Sequence, residues 1–136
     1  MSCITKSIGK ISRRYQYAFR KNIIKRDKKC LITNAPPIVC EAAHIVELKN
    51  HKEFPDIDFY DPFNGILLRS DIHKLFDLNY WYINPEEIIK QNKKNTTFEI
   101  KSNIKLLDDD IVISELDNKI INIPNESINY FFNRYL

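Results

Sequence analysis

Three histidines stand in this 136-residue chain, His44, His51 and His73. An imidazole is largely neutral near pH 7, so it can accept a proton or offer a lone pair to a metal ion. His51 lies in a charged loop and reads as solvated. His44 closes a predicted strand, Asn64-Gly65 ends a long loop, and His73 follows Asn64 by nine residues on a short predicted helix. Asp77 stands four residues after His73, on the same side of that helix, while Ile72, Leu75 and Phe76 share the apolar side. Each residue alone has a plain reading. A strand-end histidine is usually a satisfied polar group, Asn-Gly is a favoured turn pair, His73 suits a helix surface, and Asp77 suits a brace at a helix exit.

The elements that must position these residues can be read from the pattern. Residues 1–11 read as a basic arm. From Ser12 to about Lys28, Tyr15, Ala18, Phe19, Asn22 and Ile23 recur at helical spacing, with Arg13, Arg14, Arg20, Lys21 and Lys25 largely off that stripe. Residues 30–33 read as a short strand, residues 34–37 as a turn and residues 38–45 as a second strand, making a hairpin. Residues 47–63 form a polar, acidic loop, and residues 66–68 a brief buried strand. Ser70 is the expected N-cap of a helix over residues 71–77. Strands are predicted over 80–83, 97–101, 110–114 and 119–123, with a polar turn at 92–95. The end, residues 125–136, is an amphipathic helix with Ile128, Phe131, Phe132 and Tyr135 inward. Tyr80-Trp81-Tyr82 reads as core and cover rather than as a base-stacking platform, and Asp108-Asp109-Asp110 as a solvated turn.

Composition narrows the classes. Hydrophobic residues make up 43%, enough for a core, and the length suits one domain. Only Gly9 and Gly65 occur, which excludes a glycine-rich phosphate cradle. No apolar stretch approaches the ~18–20 residues of a membrane span, and residues 1–30 are too charged for a signal peptide, so an intracellular protein with no membrane partner is expected. Cys3, Cys30 and Cys40 contain no C-x-x-C pair and read as free thiols; a Cys30–Cys40 disulfide or a zinc site with His44 is the weaker alternative. The net charge of +3 hides a split, +9 over residues 1–30 and −6 over the rest. A polyanion at the N-terminal end fits that split, nucleic acid first. Ile, Asn and Lys are abundant throughout, as AT-rich coding sequence produces, but the clustering of bases survives that discount.

The linked blocks go further. Phe19-Arg20, Arg26-Asp27-Lys28-Lys29-Cys30-Leu31-Ile32-Thr33, Glu41-Ala42-Ala43-His44-Ile45-Val46, Asp61-Pro62-Phe63-Asn64-Gly65-Ile66-Leu67-Leu68-Arg69 and Asp71-Ile72-His73-Lys74-Leu75-Phe76-Asp77 occur in this order. Together they resemble the HNH endonucleases, in particular a subfamily with A-A-H-I and N-G-I-x-L…H-x-x-F-D blocks. The resemblance runs from about Tyr17 to the end. It implies an α+β fold: a ββα-metal (His-Me finger) core over about residues 30–78, within a single nuclease domain 12–136, with a basic N-terminal helix and a C-terminal strand and helix extension.

The resemblance also implies roles. His44 would be the general base, Asn64 would tie the loop to the strands and hold His44, and His73 would hold a divalent metal, Mg²⁺ or Mn²⁺. Asp77, one turn on, is the natural second ligand. Many relatives carry Asp or His just before the first histidine, where this chain has Ala43. Glu41, on the same strand face, is the candidate replacement, and Asp61 the other acidic one. The stretch Arg69-Ser70-Asp71-Ile72 stands where other HNH proteins place structural cysteines, so no structural zinc is expected. Arg13, Arg14, Arg20, Lys21, Lys25 and Arg26 would contact DNA phosphates, or else form an ordinary solvated helix face. The substrate expected is DNA, double-stranded ahead of single-stranded, and a homodimer would supply two sites for a double-strand cut. Two rivals stand beside this reading: an inactive module that binds DNA through the basic helix, and a structural protein in which the histidines only pack.

Overall fold

The computed structural model describes residues 2–89, 97–102, 116 and 118–135. The predicted turn at 92–95, the strand at 110–114 and the three aspartates at 108–110 lie outside the described residues.

Helix α1 runs over Ser2–Asp27 and so begins well before Ser12. Its buried anchors are Phe19 and Ile23, whereas Tyr15, Ala18 and Asn22, expected inward, are exposed. The helix stops where Lys28 turns to φ 66. Residues 30–33 are a turn rather than a strand: Cys30 and Ala35 close it through a backbone bond, and Asn34 sits at φ 62. Its apolar side chains, Cys30 and Ile32, still reach the core.

The predicted hairpin is therefore replaced by a longer-range pairing. Residues Pro37–Val39 form a 3-10 turn, and strand β1, Cys40–His44, pairs antiparallel with β2, Gly65–Arg69. The register sets Ala43 against Ile66 and His44 against Gly65. Helix α2, Ser70–Asp77, follows β2 without a break. Arg69, not Ser70, is its N-cap residue, and the Ser70 hydroxyl donates instead to the Val39 carbonyl. Ile72 and Phe76 are buried between α2 and the strands, and the Trp81 indole donates to the Ile72 carbonyl at 2.9 Å.

A second antiparallel sheet is built from β3 (Trp81–Ile83), β4 (Thr97–Ser102) and β5 (Ile120–Asn122), in that order. Helix α3, Pro85–Ile89, leaves β3. After a 3-10 turn at Asn125–Ser127, helix α4, Ile128–Tyr135, packs on α2 with Phe131 buried against Phe76. Phe132, expected inward, is 46% exposed. Trp81 is wholly buried, as the core reading of the aromatic triplet requires.

Cys30 and Cys40 are free and buried. The Cys40 thiol lies within hydrogen-bond reach of the Ala35 and Pro36 carbonyls, and no disulfide joins it to Cys30. Among the described residues, no helix is long and apolar enough to cross a membrane.

Candidate active site

Strand β1 ends at His44, and the register decides what surrounds its ring. Opposite it stands Gly65, and a Cβ there would run into Ile23 Cδ1 and Phe19 Cζ. The missing side chain lets α1 press onto the sheet, and Phe19 stacks on His44 with ring centroids 4.3 Å apart and planes at 17°. Tyr60, from the long loop, meets the imidazole edge-on at 5.7 Å. The ring is thus fixed on two sides by aromatic packing. His44 Nε2 is buried with no hydrogen-bond partner among the described residues. Burial, with the positive charge of His73 next, pushes the His44 pKa down to about 4, against a smaller upward pull from Asp77. The imidazole is neutral at pH 7.

Asn64 is fully buried. Its Oδ1 accepts from the Val46 amide at 2.8 Å, and its Nδ2 donates to the Val46 and Phe59 carbonyls, both at 3.1 Å. Its own carbonyl accepts from the Ile45 amide at 2.8 Å. One side chain thereby satisfies both backbone groups of Val46 and ties the long loop to the exit of β1, just beyond His44. The Asn-Gly pair is more than a turn signal here.

His73, on α2, lies between two carboxylates. Its Nδ1 is 3.0 Å from Glu41 Oε1 on β1, and its Nε2 is 3.1 Å from Asp77 Oδ2 one turn along. Burial opposes a positive charge on this ring, but bonds to Asp77 and then Glu41 outweigh it, and the pKa is raised. Asp77 shows the reverse balance: burial favours the acid, yet His73 and Arg134 hold the carboxyl below its ordinary range. His44, His73, Asp77 and Glu47 line one open pocket, with Leu48, Lys49 and Leu78.

The donor set can be weighed against a divalent cation. Two ligands on adjacent corners of an octahedron of ~2.1 Å radius are about 3 Å apart, and His73 Nε2 and Asp77 Oδ2 have that spacing. Glu41, on the other ring nitrogen, is placed to orient His73 rather than to share its ion; a carboxylate on the second nitrogen of a ligand histidine fixes its tautomer. Asp61 is committed elsewhere, accepting from the Phe63 amide and from the Tyr130 hydroxyl at 2.7 Å. Among the described residues, no three His, Cys, Asp or Glu side chains converge on one point. Magnesium commonly keeps several waters and takes one or two protein carboxylates plus substrate phosphate, so the His73–Asp77 corner fits such an ion with further donors from outside it.

The expected cationic contacts divide into two groups. Arg20 donates to the Cys40 and Pro37 carbonyls at 2.6 and 3.0 Å. Arg26 donates to the Pro62 and Gly65 carbonyls at 2.7 and 2.6 Å and pairs with Asp27, whose carboxylate accepts from the Leu67 amide. These two arginines hold α1 to the sheet. Arg13, Arg14, Lys21 and Lys25 are exposed. At about 100° per residue, Arg14, Lys21 and Lys25 fall on the side of α1 away from Phe19 and Ile23.

Four further participants were given no role by the sequence. Phe19 and Tyr60 hold the imidazole; Phe19 carries the signal of the helical stripe, Tyr60 carries none. Glu47 enters the pocket from the loop after β1. Arg134, on α4, donates to the Ile45 carbonyl at 2.8 Å and the Phe76 carbonyl at 2.7 Å, with its guanidinium 3.7 Å above the Phe76 ring. It also reaches Asn79 Oδ1 at 3.3 Å. A single planar fork thus joins the residue after His44 to the residue before Asp77.

Comparison with known proteins gives a match over part of the chain. Residues 30–84, which span β1, β2, α2 and β3, match the family model described as HNH endonuclease. Searches against curated proteins and against solved structures gave no match.

Proposed function

We propose that this chain, whose residues 30–84 carry the HNH endonuclease pattern, hydrolyses phosphodiester bonds of DNA with the help of a divalent cation, Mg²⁺ or Mn²⁺. The observation that carries the reading is one pocket shared by a neutral, clamped His44 and by the His73–Asp77 corner. The cation, when bound at that corner, would neutralise charge on the non-bridging and leaving oxygens of the phosphate.

The remaining work falls to the chain itself. The neutral His44 imidazole takes a proton from water as the water oxygen bonds to phosphorus. The bond from phosphorus to the 3′ oxygen breaks, leaving a 5′-phosphate and, after protonation of the leaving oxygen, a 3′-hydroxyl. A base with a pKa near 4 is weak in the free protein, but a phosphate anion beside it favours the protonated ring and strengthens it as substrate docks. Phe19 and Tyr60 keep the ring plane fixed, and Asn64 holds the backbone that follows. Arg13, Arg14, Lys21 and Lys25 would grip backbone phosphates beyond the cut, since most of that basic face is turned away from His44.

The test is supercoiled plasmid incubated with the protein in Mg²⁺, Mn²⁺ or EDTA, with His44→Ala alongside. Nicking or linearisation that is lost in EDTA and in the variant is the expected result, and cleavage by His44→Ala would remove His44 from its role. One observation favours a second reading, a DNA-binding module without turnover: both nitrogens of His73 already face carboxylates. Plasmid shifted on a gel but uncut in either metal would select that reading.

A further inference from the structure

We infer that Tyr15 stacks on an unpaired base of the strand being cut, close to the phosphate that His44 serves. The preferred substrate is then DNA opened at the cut rather than intact duplex; this rests on the nuclease reading proposed above.

Tyr15, Phe19 and Ile23 follow one another at intervals of four along α1. Phe19 and Ile23 are buried, whereas Tyr15, about 6 Å further along the helix axis, is 53% exposed. The apolar stripe therefore runs past the core and ends on an open ring. That ring is nonetheless held. It meets Tyr60 at 5.3 Å between centroids with planes at 38°, and Tyr60 meets His44 edge-on at 5.7 Å. Phe19, stacked on His44, adds an edge contact to Tyr60 at 6.1 Å. The steps of 5.3 and 5.7 Å put the Tyr15 ring centre within about 11 Å of the imidazole. Tyr15, Tyr17 and Phe132 are the exposed aromatic rings among the described residues, and of these Tyr15 alone is linked to His44 through ring contacts.

A base laid on an aromatic ring is held whatever its sequence, because every base has a π face. In intact duplex each base is covered by neighbours on both faces, so an open ring can take only a base that has left the stack. At ~3.4 Å of rise per nucleotide, a base on Tyr15 lies about three nucleotides or fewer from the phosphate at His44. Arg14, next to Tyr15 in sequence, is exposed and cationic, and aromatic rings set among cations are the means by which single strands are held. Tyr60 touches the platform with one contact and the imidazole with another, so the fold fixes how far the held base stands from the attacked phosphate. A leucine could cover Tyr60 as well as a tyrosine does. The flat face of Tyr15 is therefore the feature to test.

The experiment presents one DNA sequence as a perfect duplex and with a central unpaired bubble. Binding is read by fluorescence anisotropy in EDTA and cleavage in Mn²⁺, for the full chain, Tyr15→Phe and Tyr15→Leu, with thermal melts of each. The unaltered protein and Tyr15→Phe are expected to favour the bubble about tenfold or more. Tyr15→Leu is expected to lose that preference in binding and in KM, with kcat retained and the melt unchanged. Equal affinity of the unaltered protein for both DNAs would overturn the platform. So would loss of the preference in Tyr15→Phe, which would point to a hydroxyl contact with phosphate. A fall in kcat on both DNAs at constant KM in Tyr15→Leu would reduce Tyr15 to a prop for Tyr60 and overturn it too. If Tyr15→Leu lowers the melt, Tyr15→Trp decides: the larger flat ring should bind the bubble more tightly, and unchanged affinity counts against stacking. A bubble preference that Tyr15→Leu loses, with no cleavage by the unaltered protein, would overturn the nuclease reading and leave the stacking standing.

Discussion

Phe19 stacks on His44 only because Gly65, paired with His44 across β1 and β2, has no side chain to keep the phenyl ring away. The helix, the glycine and the imidazole form one contact, so a change at any of them reaches the others. Phe19→Leu retains most of the buried apolar volume but removes the flat face. It is expected to stay folded, losing about 1–2 kcal/mol in urea unfolding, and to cleave plasmid at least about tenfold more slowly. Full activity in folded Phe19→Leu would reduce Phe19 to a core residue.

Gly65→Ala tests the same contact from the opposite strand. Its φ of −146 is ordinary extended backbone, so the objection to a side chain is space alone. The new methyl must displace Ile23 and Phe19, and overpacking of this kind costs typically about 1–3 kcal/mol. Urea denaturation should show a lower midpoint with an unchanged slope. A stability equal to that of the unaltered protein would mean that α1 lifts from the sheet at little cost.

Arg134→Lys probes the brace between the two halves of the site. A lysine ammonium cannot reproduce a planar fork that reaches two carbonyls at once. The expected outcome is a retained far-ultraviolet circular dichroism spectrum with plasmid cleavage reduced by about tenfold or more. Cleavage at the original rate would show that β1 and α2 keep their relation without it.

The two histidines predict opposite pH effects on the metal-free fold. The pKa of His44 is about 4 folded and near 6.5 unfolded. The unfolded chain therefore binds the extra proton, and this contribution is present above pH 6.5 and lost as pH falls toward 4. It amounts to about 3 kcal/mol at most. His73 is raised, so its contribution is complete below pH 6.5 and fades as pH climbs through its folded value. Urea unfolding in EDTA between pH 4 and 8 should show His44→Gln with a flatter acid limb and His73→Gln with a flatter alkaline limb. Unchanged limbs would contradict these environments.

On α1, the combined change of Arg14, Lys21 and Lys25 to Ala leaves the core packing untouched. It should weaken binding to duplexes of any sequence, and the dependence of log K on log salt should fall by roughly one for each phosphate no longer neutralised. An unaltered salt slope would show that this face stays solvated.

The helical character of α1, the strand at 66–68 and the helix after it were legible because their periodicity is local, but of the five residues expected on the inner stripe of α1 only Phe19 and Ile23 are buried. The partner of β1 was not legible. Cys30-Leu31-Ile32-Thr33 has strand composition, but Asn34 in the left-handed region folds it back on Ala35, and the true partner lies across a long loop. Arg20 and Arg26 belong to the same basic cluster as Arg14 and Lys21; only the approach of carbonyls from residues 37, 40, 62 and 65 separates anchors from exposed charges. Within the site, His44, Asn64, His73 and Asp77 could be picked out because their blocks are linked in order. Arg134 could not, since nothing near it in sequence marks which carbonyls it will find.

Arg134 also imposes an order on synthesis. The segment that matches the nuclease family model closes at residue 84, yet the fork that joins β1 to α2 is translated fifty residues later. A growing chain can pair β1 with β2 and wind α2 while the brace is still inside the ribosome. On the proposed reading, the half-made enzyme near its own messenger would be slack at the cutting centre, and would become competent only after α4 emerges and docks.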